Sequence, residues 1–159
     1  MSVRQAKLSE AGLVLGLWKE LANDPDCMDA PTPVTEGNTK TMSEFITKLI
    51  HEDSRQVLVA EDDDGELVGF LMFQRVVRSP IETHRKWANV SDLYVRPSHR
   101  ERGIGRRLLE MCIIDLRASG TTHVRVRVWS KNENAIRLYR AVGFDDYTLT
   151  LEAGLSKAQ

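Results

Sequence analysis

The chain has 159 residues, a length that fits one domain spanning residues 1–159. With 42% hydrophobic and 28% charged residues, its composition is that of a globular protein and excludes a disordered or fibrous chain. The formal net charge of −1 excludes a bulk electrostatic attraction to nucleic acid or to an anionic membrane.

The N-terminal part of the chain is predicted to form one short strand and two helices. Val3–Lys7 is the strand, and Ser9–Asn23 is a helix that Ser9 caps, with leucines at every fourth position on one face. The polar segment Asn23–Lys40 contains three prolines, and a loop of this length in a compact domain is usually functional or mobile. A capping-box pattern at Thr41 and Glu44 predicts the start of the second helix.

Three strands are predicted in the middle of the chain. Gln56–Glu61 and Glu66–Val77 are separated by the dipeptide Asp64-Gly65, which is a strong hairpin signal. Trp87–Val95 is the third strand, and Pro97 follows its end.

The C-terminal part alternates helix and strand. Gly103–Ser119 has the apolar stripe of an amphipathic helix, and His123–Trp129 alternates apolar and polar residues as a strand does. Asn132–Val142 is a helix that Gly143 ends, and Phe144–Leu151 is a closing strand. The order β-α-α-β-β-β-α-β-α-β predicts an α/β (α+β) domain built on one mixed sheet.

The connection between the strand 87–95 and the helix 103–119 has the features of an anion site. As the first loop of a βαβ unit, it lies at the carboxyl end of a strand, where ligands bind. Gly103 and Gly105 allow close approach of the backbone, and the first amides of a helix attract anions. Positive charge is added by Arg100, Arg102, Arg106 and Arg107. The pattern predicts a phosphate or pyrophosphate site, with a packing role for the glycines and a solvated basic patch as alternatives.

A second motif accompanies this loop. Residues 132–144 have the form NxxAxxLYxxxGF, and Arg100-Glu101-Arg102-Gly103-Ile104-Gly105 has the form R/QxxGxG/A. Carrying both motifs in this order, about 30 residues apart, the chain resembles the GNAT acetyltransferase superfamily over roughly residues 2–150. Asp92-Leu93-Tyr94-Val95 resembles the end of the family's fourth strand.

The resemblance implies a mixed, mostly antiparallel central sheet of six to seven strands, flanked by about four helices, with the fourth and fifth strands splayed apart. It also implies acetyl-CoA as the cofactor, with its pantetheine arm between the splayed strands. There the backbone groups of Leu93 and Val95, on either side of Tyr94, would bind the arm, and the Leu93 N–H would face the thioester oxygen. The resemblance places the pyrophosphate on Arg100, Glu101, Arg102, Gly103, Ile104, Gly105 and Arg106. It assigns Asn132 and Asn134 to the cofactor as well, although Asn132 is equally suited to cap a helix.

The chemistry implied by the resemblance is direct attack of an amine on the thioester. Tyr139 matches the family's tyrosine near the sulfur and would protonate the leaving thiolate, with a plain core tyrosine as the alternative. Asp92 is the candidate base for the amine proton, although it could equally bind a cationic acceptor or face solvent. Cys112 lies in a predicted apolar stripe and is a poor nucleophile candidate.

The acceptor is expected to be a small-molecule or peptide amine that binds between the loops 23–40 and 78–87. The first loop would suit a cationic amine because it contains Asp24, Asp26, Asp29 and Glu36, and the second holds Glu82 and His84 as a further candidate base. Many family members have a glutamate on the fifth strand where this chain has Arg127. One hypothesis is that Arg127 binds a carboxylate on the acceptor, and a solvated strand face is the alternative.

The prediction is therefore an N-acetyltransferase, with a non-catalytic acyl-CoA sensor as the alternative. A nucleic-acid-binding role is disfavoured by the net charge and by the absence of a P-loop or an RNA-binding aromatic motif. The sequence contains no CxxC, HExxH or histidine cluster that would predict a metal site, and none of its apolar stretches is long enough to cross a membrane. Cys27 and Cys112, without an export signal, predict reduced thiols in a cytoplasmic protein. The resemblance also admits a homodimer, since dimers are common in the family.

Overall fold

The computed structural model describes residues 1–27, 33–51, 56–76 and 86–153. These residues form five strands and four α-helices. The strands are β1 (Ser2–Gln5), β2 (Val57–Glu61), β3 (Leu67–Val76), β4 (Trp87–Val95) and β5 (His123–Val126). The helices are α1 (Ala11–Ala22), α2 (Glu36–His51), α3 (Ile104–Ala118) and α4 (Glu133–Ala141). Two short 3₁₀ turns, Leu8–Glu10 and Pro97–His99, precede α1 and α3.

The strands form one mixed sheet in the order β1-β2-β3-β4-β5. The first four are antiparallel neighbours, and β4 pairs with β5 in parallel, which requires the crossover through α3. The β2–β3 hairpin predicted at Asp64-Gly65 is confirmed, since β2 pairs antiparallel with β3 around that turn. Gly65 has φ +84°, a left-handed conformation that favours glycine.

A hydrophobic core lies on each face of the sheet. On one face, α1 and α2 pack on β2 and β3, and the buried side chains include Val14, Leu17, Ile46, Leu49, Val57, Val59, Phe70, Met72 and Tyr94. On the other face, α3 packs on the sheet, and α4 closes this core through Tyr139; its buried side chains include Leu58, Leu71, Phe73, Ala88, Val90, Leu108, Leu109 and Cys112. Strand residues alternate between the two cores, as the period-two pattern of the sequence predicts.

The predicted sheet of six to seven strands is wrong, because five strands are present in the described residues. The segment Phe144–Leu151, predicted as a closing strand, forms no strand, and its Leu149 and Leu151 are 82% and 84% exposed. The predicted strand His123–Trp129 ends early, at Val126. Alternating apolar residues stabilise a strand only when a neighbouring strand and a packed face are present.

The second helix also begins earlier than predicted, at Glu36 instead of Thr41. Thr35 caps it: the Asn38 amide donates to the Thr35 hydroxyl at 3.2 Å, and the Thr35 amide donates to the Asn38 side chain at 2.8 Å. This is a reciprocal cap in which asparagine takes the place of the usual Glu or Gln, so the capping-box pattern of Ser or Thr followed three residues later by Glu or Gln does not predict it.

The parallel pairing of β4 and β5 covers only the first half of β4. It extends from Trp87 opposite His123 to Val90 opposite Val126. The register of β4 against β3 then shifts, so that Ser91 is an extra residue between Val90 and Asp92, which is a β-bulge. A bulge increases the local twist of a strand. Residues 92–95, at the end of β4, have no β5 partner among the described residues. The predicted splaying of the fourth and fifth strands stays a prediction.

Candidate active site

The loop between β4 and α3 presents unbonded amides at the start of a helix. Gly103 is the N-cap of α3 and has φ +75°, and Glu101 has φ +61°, which is uncommon for a residue with a side chain. No side chain caps α3, so the N–H groups of Ile104, Gly105 and Arg106 remain open for a ligand. The arrangement can hold an anion such as a pyrophosphate.

The two glycines of this loop serve different physical needs. A Cβ on Gly103 would meet no atom within 4 Å, so its backbone conformation is the reason for glycine there. A Cβ on Gly105 would lie 3.0 Å from Cδ2 of Leu138, so Gly105 allows α3 to approach α4 closely. For Gly105, helix packing is therefore one supported role, alongside the predicted cofactor contact.

Arg100 is the predicted pyrophosphate ligand, and its side chain contacts the chain segment that follows α1. Its Nη2 donates to the Asp24 carboxylate, its Nη1 donates to Asp26 Oδ2 at 3.0 Å, and its Nε donates to the Val95 carbonyl at 3.0 Å. Asp24 is only 7% exposed. Arg100 thus joins the turn after α1 to the end of β4. Its predicted contact with the cofactor stays a prediction.

This Asp24–Arg100 pair was missed in the sequence. The two residues are 76 positions apart, and the prediction from the sequence places Asp24 among the acidic side chains available to a cationic acceptor. Arg100 neutralises Asp24 and Asp26, while Glu36 lies in the first turn of α2, and Asp29, Glu82 and His84 lie outside the described residues. The described part of the loop 23–40 therefore offers less free negative charge than the sequence suggested.

The end of β4 directs backbone groups into the gap beside β5. The Arg96 amide donates to Val68 of β3 at 2.9 Å. Because backbone groups alternate in direction along a strand, those of Leu93 and Val95 point away from β3. The bond from Arg100 Nε to the Val95 carbonyl agrees with this direction. Leu93 therefore carries an N–H and a C=O that face the gap.

Tyr139 and Asp92 come from different elements, and the charge of Asp92 acts on the phenol of Tyr139. Tyr139 is buried on α4, where its ring packs 5.6 Å from that of Phe144, centroid to centroid. Burial raises the pKa of Tyr139 above its usual range, and the negative charge of Asp92 raises it further. Burial also raises the pKa of Asp92, while its hydrogen bond with Ser91 opposes that change. The phenol therefore keeps its proton, and the carboxylate is a stronger base than an exposed one.

Asn132 and Asn134 begin the motif on α4 and both have partners within it. Asn132 Oδ1 accepts a hydrogen bond from the Ala135 amide at 3.0 Å, so it is the N-cap of α4. Asn134 Oδ1 accepts from Arg137. The capping role considered for Asn132 is present, and the cofactor contacts of both residues stay predictions.

A stacked arginine on β5 was not predicted. Arg125 lies between two aromatic rings, with its guanidinium carbon 3.2 Å from the centroid of Trp87 and 4.5 Å from that of Tyr147. Arg127, the residue singled out in the sequence, is exposed just beyond the end of β5. An aromatic residue far along the chain completes the stack, so strand alternation alone could not reveal it.

Other kinds of site are not supported by the described residues. They contain no group of three or more His, Cys, Asp or Glu side chains placed to hold a metal ion. Among the helices described, none has the length and apolar character needed to span a membrane. Cys112 is buried, and this burial raises the pKa of its thiol to about 12, which makes it a poor nucleophile at neutral pH.

Residues 19–144 match the family model described as the Acetyltransferase (GNAT) family. An L-methionine sulfoximine/L-methionine sulfone acetyltransferase from Pseudomonas aeruginosa is 28% identical over 91% of this chain and 80% of its own length. A ribosomal-protein-alanine N-acetyltransferase from Brucella melitensis has a similar structure, with a TM-score of 0.74 and 21% identity over 93% of this chain and 86% of that one. AAC(6')-Iy, in complex with the bisubstrate analogue CoA-S-monomethyl-acetylneamine, has a TM-score of 0.73 and 17% identity over 96% of both chains. At these identities, the two structures show a shared fold.

Proposed function

The chain belongs to the acetyltransferase (GNAT) family, and we propose that it transfers an acetyl group from acetyl-CoA to the primary amine of a small molecule or peptide. The amine attacks the thioester directly in a ternary complex, without a covalent enzyme intermediate. The main support for this proposal is the set of groups that meet at the end of β4. There Asp92 lies close enough to Tyr139 to raise its pKa, beside the open backbone groups of Leu93 and the uncapped start of α3.

Acetyl-CoA would bind along the open end of β4. Its pyrophosphate would accept hydrogen bonds from the amides of residues 101–106, and its pantetheine arm would pair with the backbone of Leu93 and Val95. The CoA-containing analogue held by AAC(6')-Iy, which shares this fold, supports the choice of cofactor. The acetyltransferase of Pseudomonas aeruginosa, named for two amino-acid analogues, supports a small-molecule acceptor.

The acetyl transfer then needs two proton movements. The neutral amine nitrogen attacks the carbonyl carbon, Asp92 takes the proton that this nitrogen loses as the N–C bond forms, and the Leu93 N–H stabilises the oxyanion. The C–S bond breaks, and Tyr139 gives its proton to the departing thiolate. Burial and the charge of Asp92 raise the pKa of Tyr139, so the phenol holds its proton at neutral pH until the thiolate departs.

The test is release of free thiol from acetyl-CoA in the presence of a panel of amines. We expect Tyr139→Phe to lower kcat by roughly 10²- to 10⁴-fold, the range for general acid–base catalysis, with little change in KM for acetyl-CoA. Asp92→Asn should lower kcat as well, whereas Asp145→Asn, at an exposed aspartate near the C-terminal end of α4, serves as the matched control.

Tight binding of acetyl-CoA without thiol release for any amine would contradict catalysis and favour the acyl-CoA sensor. A Tyr139→Phe variant with wild-type kcat would refute the role of the phenol. The homodimer, the cytoplasmic location and the single domain over residues 1–159 stay predictions. Light scattering coupled to size-exclusion chromatography tests the first of these.

A further inference from the structure

All three nitrogens of the Arg100 guanidinium contact groups of the protein itself. Nε donates to the Val95 carbonyl at 3.0 Å, and Nη1 donates to Asp26 Oδ2 at 3.0 Å. Nη2 donates to the Asp24 carboxylate and lies 3.7 Å from the Cys27 sulfur. A pyrophosphate that took this guanidinium would leave the almost fully buried Asp24 without its cation. Separating a buried ion pair is costly, so the Arg100 side chain is poorly placed to hold the cofactor.

The contacts of Arg100 fix a short segment directly after α1, the residues Asp24–Cys27, which we call the α1 turn. The Asp26 amide donates to Asp24 Oδ1 at 2.9 Å, and the Cys27 amide donates to the Asp24 carbonyl at 3.1 Å. The α1 turn is therefore organised around Asp24. Because Arg100 binds Asp24 and the end of β4 at the same time, it ties the α1 turn to that strand.

The α1 turn lies on the same face of the sheet as the side chain of Asp92. Asp92 is opposite Met72 in the β3–β4 register, and residues directly opposite each other share a face. Met72 and Tyr94 belong to the core under α1 and α2, and Cys27 packs against that core. The guanidinium carbon of Arg100 lies 5.8 Å from the centroid of the Tyr94 ring. Tyr94 is two positions from Asp92, about 7 Å along the strand, so the α1 turn flanks the candidate base.

The α1 turn also comes near the phenol on α4. Burial and then the charge of Asp92 raise the pKa of Tyr139, and a charge on the Cys27 sulfur would act in the same direction. Because Coulomb interactions weaken with distance, Cys27 lies close to the phenol. An amine that reaches Asp92 from the face of α1 and α2 would therefore lie against the α1 turn.

We propose that Arg100 is a positioning residue for the acceptor: together with Asp24, it holds the α1 turn as one wall of the site in which the amine lies beside Asp92. This inference rests on the proposed acetyl transfer and gives Arg100 a role in place of the pyrophosphate contact that the motif predicts. The pyrophosphate keeps the backbone amides at the uncapped start of α3. Binding of the acceptor then depends on an ion pair that contacts neither the cofactor nor the reacting atoms.

The experiment measures the two substrates separately in Asp24→Asn and in Arg100→Gln. Calorimetry gives the Kd for CoA, and thiol release at saturating acetyl-CoA gives kcat/KM for the amine. We expect kcat/KM for the amine to fall about 10- to 100-fold in both variants, since misplacing a substrate by roughly 1 Å has an effect of this size. The Kd for CoA should change less than about threefold.

A conservative variant and a double variant test how the two residues act. Arg100→Lys keeps the charge but loses the fork of N–H groups, so it should recover part of the loss in kcat/KM. Because Asp24 and Arg100 act through one contact, the double variant Asp24→Asn with Arg100→Gln should lose little more than either single variant.

Two controls separate positioning from loss of stability. Glu20→Gln breaks the neighbouring ion pair with Arg96, which also joins α1 to the end of β4 but does not contact the α1 turn. Leu116→Ala leaves a cavity in the core near the C-terminal end of α3, on the other face of the sheet. Both variants should keep kcat/KM for the amine and the Kd for CoA within about threefold of wild type.

The inference is overturned if Arg100→Gln raises the Kd for CoA by about tenfold or more while the kinetics with the amine stay unchanged, because Arg100 would then be a pyrophosphate ligand. Unchanged kinetics in both variants would also overturn it, as would losses no larger than that of Leu116→Ala. Failure of the proposed function looks different, since wild-type protein would then release no thiol with any amine. Even then, the Kd for CoA in Arg100→Gln decides whether this side chain holds the cofactor.

Discussion

The ion pair between Asp24 and Arg100 gives a sharp prediction about stability. Asp24 is almost fully buried, and its carboxylate accepts hydrogen bonds from Arg100 and from the Asp26 amide, the latter at 2.9 Å. Asp24→Asn keeps the shape and an acceptor oxygen for the Asp26 amide, but it removes the charge that faces Arg100. The substitution therefore isolates the ion pair.

The expected cost follows from the burial of the two partners. Breaking a buried ion pair by removing one partner typically costs about 3–5 kcal/mol. Arg100 keeps 27% exposure of its side chain and can still pair with Asp26, so we expect Asp24→Asn to cost about 2–3 kcal/mol. For a chain of this size, that loss lowers Tm by roughly 4–12 °C.

Urea unfolding measures this loss as a lower midpoint at an unchanged m-value. Asp26→Asn is the matched control, because the Asp26 side chain is 69% exposed and its pair with Arg100 is worth at most about 1 kcal/mol. In a double-mutant cycle, Asp24→Asn with Arg100→Gln should cost less than the sum of the two single changes. The reasoning is refuted if Asp24→Asn costs less than about 0.5 kcal/mol or no more than Asp26→Asn.

Two further predictions concern the site itself. Gly103→Ala should destabilise the protein by about 1–2 kcal/mol, because Gly103 has φ +75° and this conformation is unfavourable for alanine. A variant that is as stable as wild type in urea unfolding would contradict this prediction. Asp92→Asn should raise the Tm at pH 7 but leave it nearly unchanged below about pH 4, the pKa of an aspartate in the unfolded chain. The reason is that folding raises the pKa of Asp92, so the ionised carboxylate destabilises the folded protein once the pH rises through the folded-state pKa. If Asp92→Asn raised the Tm equally at pH 4 and pH 7, ionisation of Asp92 would not be the cause.

Local features of the sequence predicted much of the fold. The predicted helix Asn132–Val142 corresponds to α4, capped by Asn132 and Val142, and Gly143 follows it with φ +99°. The predicted helix Gly103–Ser119 likewise corresponds to α3, which begins directly after Gly103. Caps, glycine conformations and hairpin turns depend on a few consecutive residues, so their physical cause is contained in the sequence read locally.

Features that depend on a partner elsewhere in the chain were not predicted. The segment Phe144–Leu151 has the alternation of a strand, yet it has no strand to pair with among the described residues. The bulge at Ser91 comes from the register between β3 and β4, and no residue pattern within β4 announces it.

The sequence by itself determined the family, the order of most elements and the glycine-rich start of α3, because motifs and periodicity lie within short stretches. Only the tertiary structure decided how the charges are used. It paired Arg100 with Asp24 and stacked Arg125 between Trp87 and Tyr147. The energy of a charge depends on its burial and on its neighbours in space, and residues 76 positions apart become neighbours only through the fold.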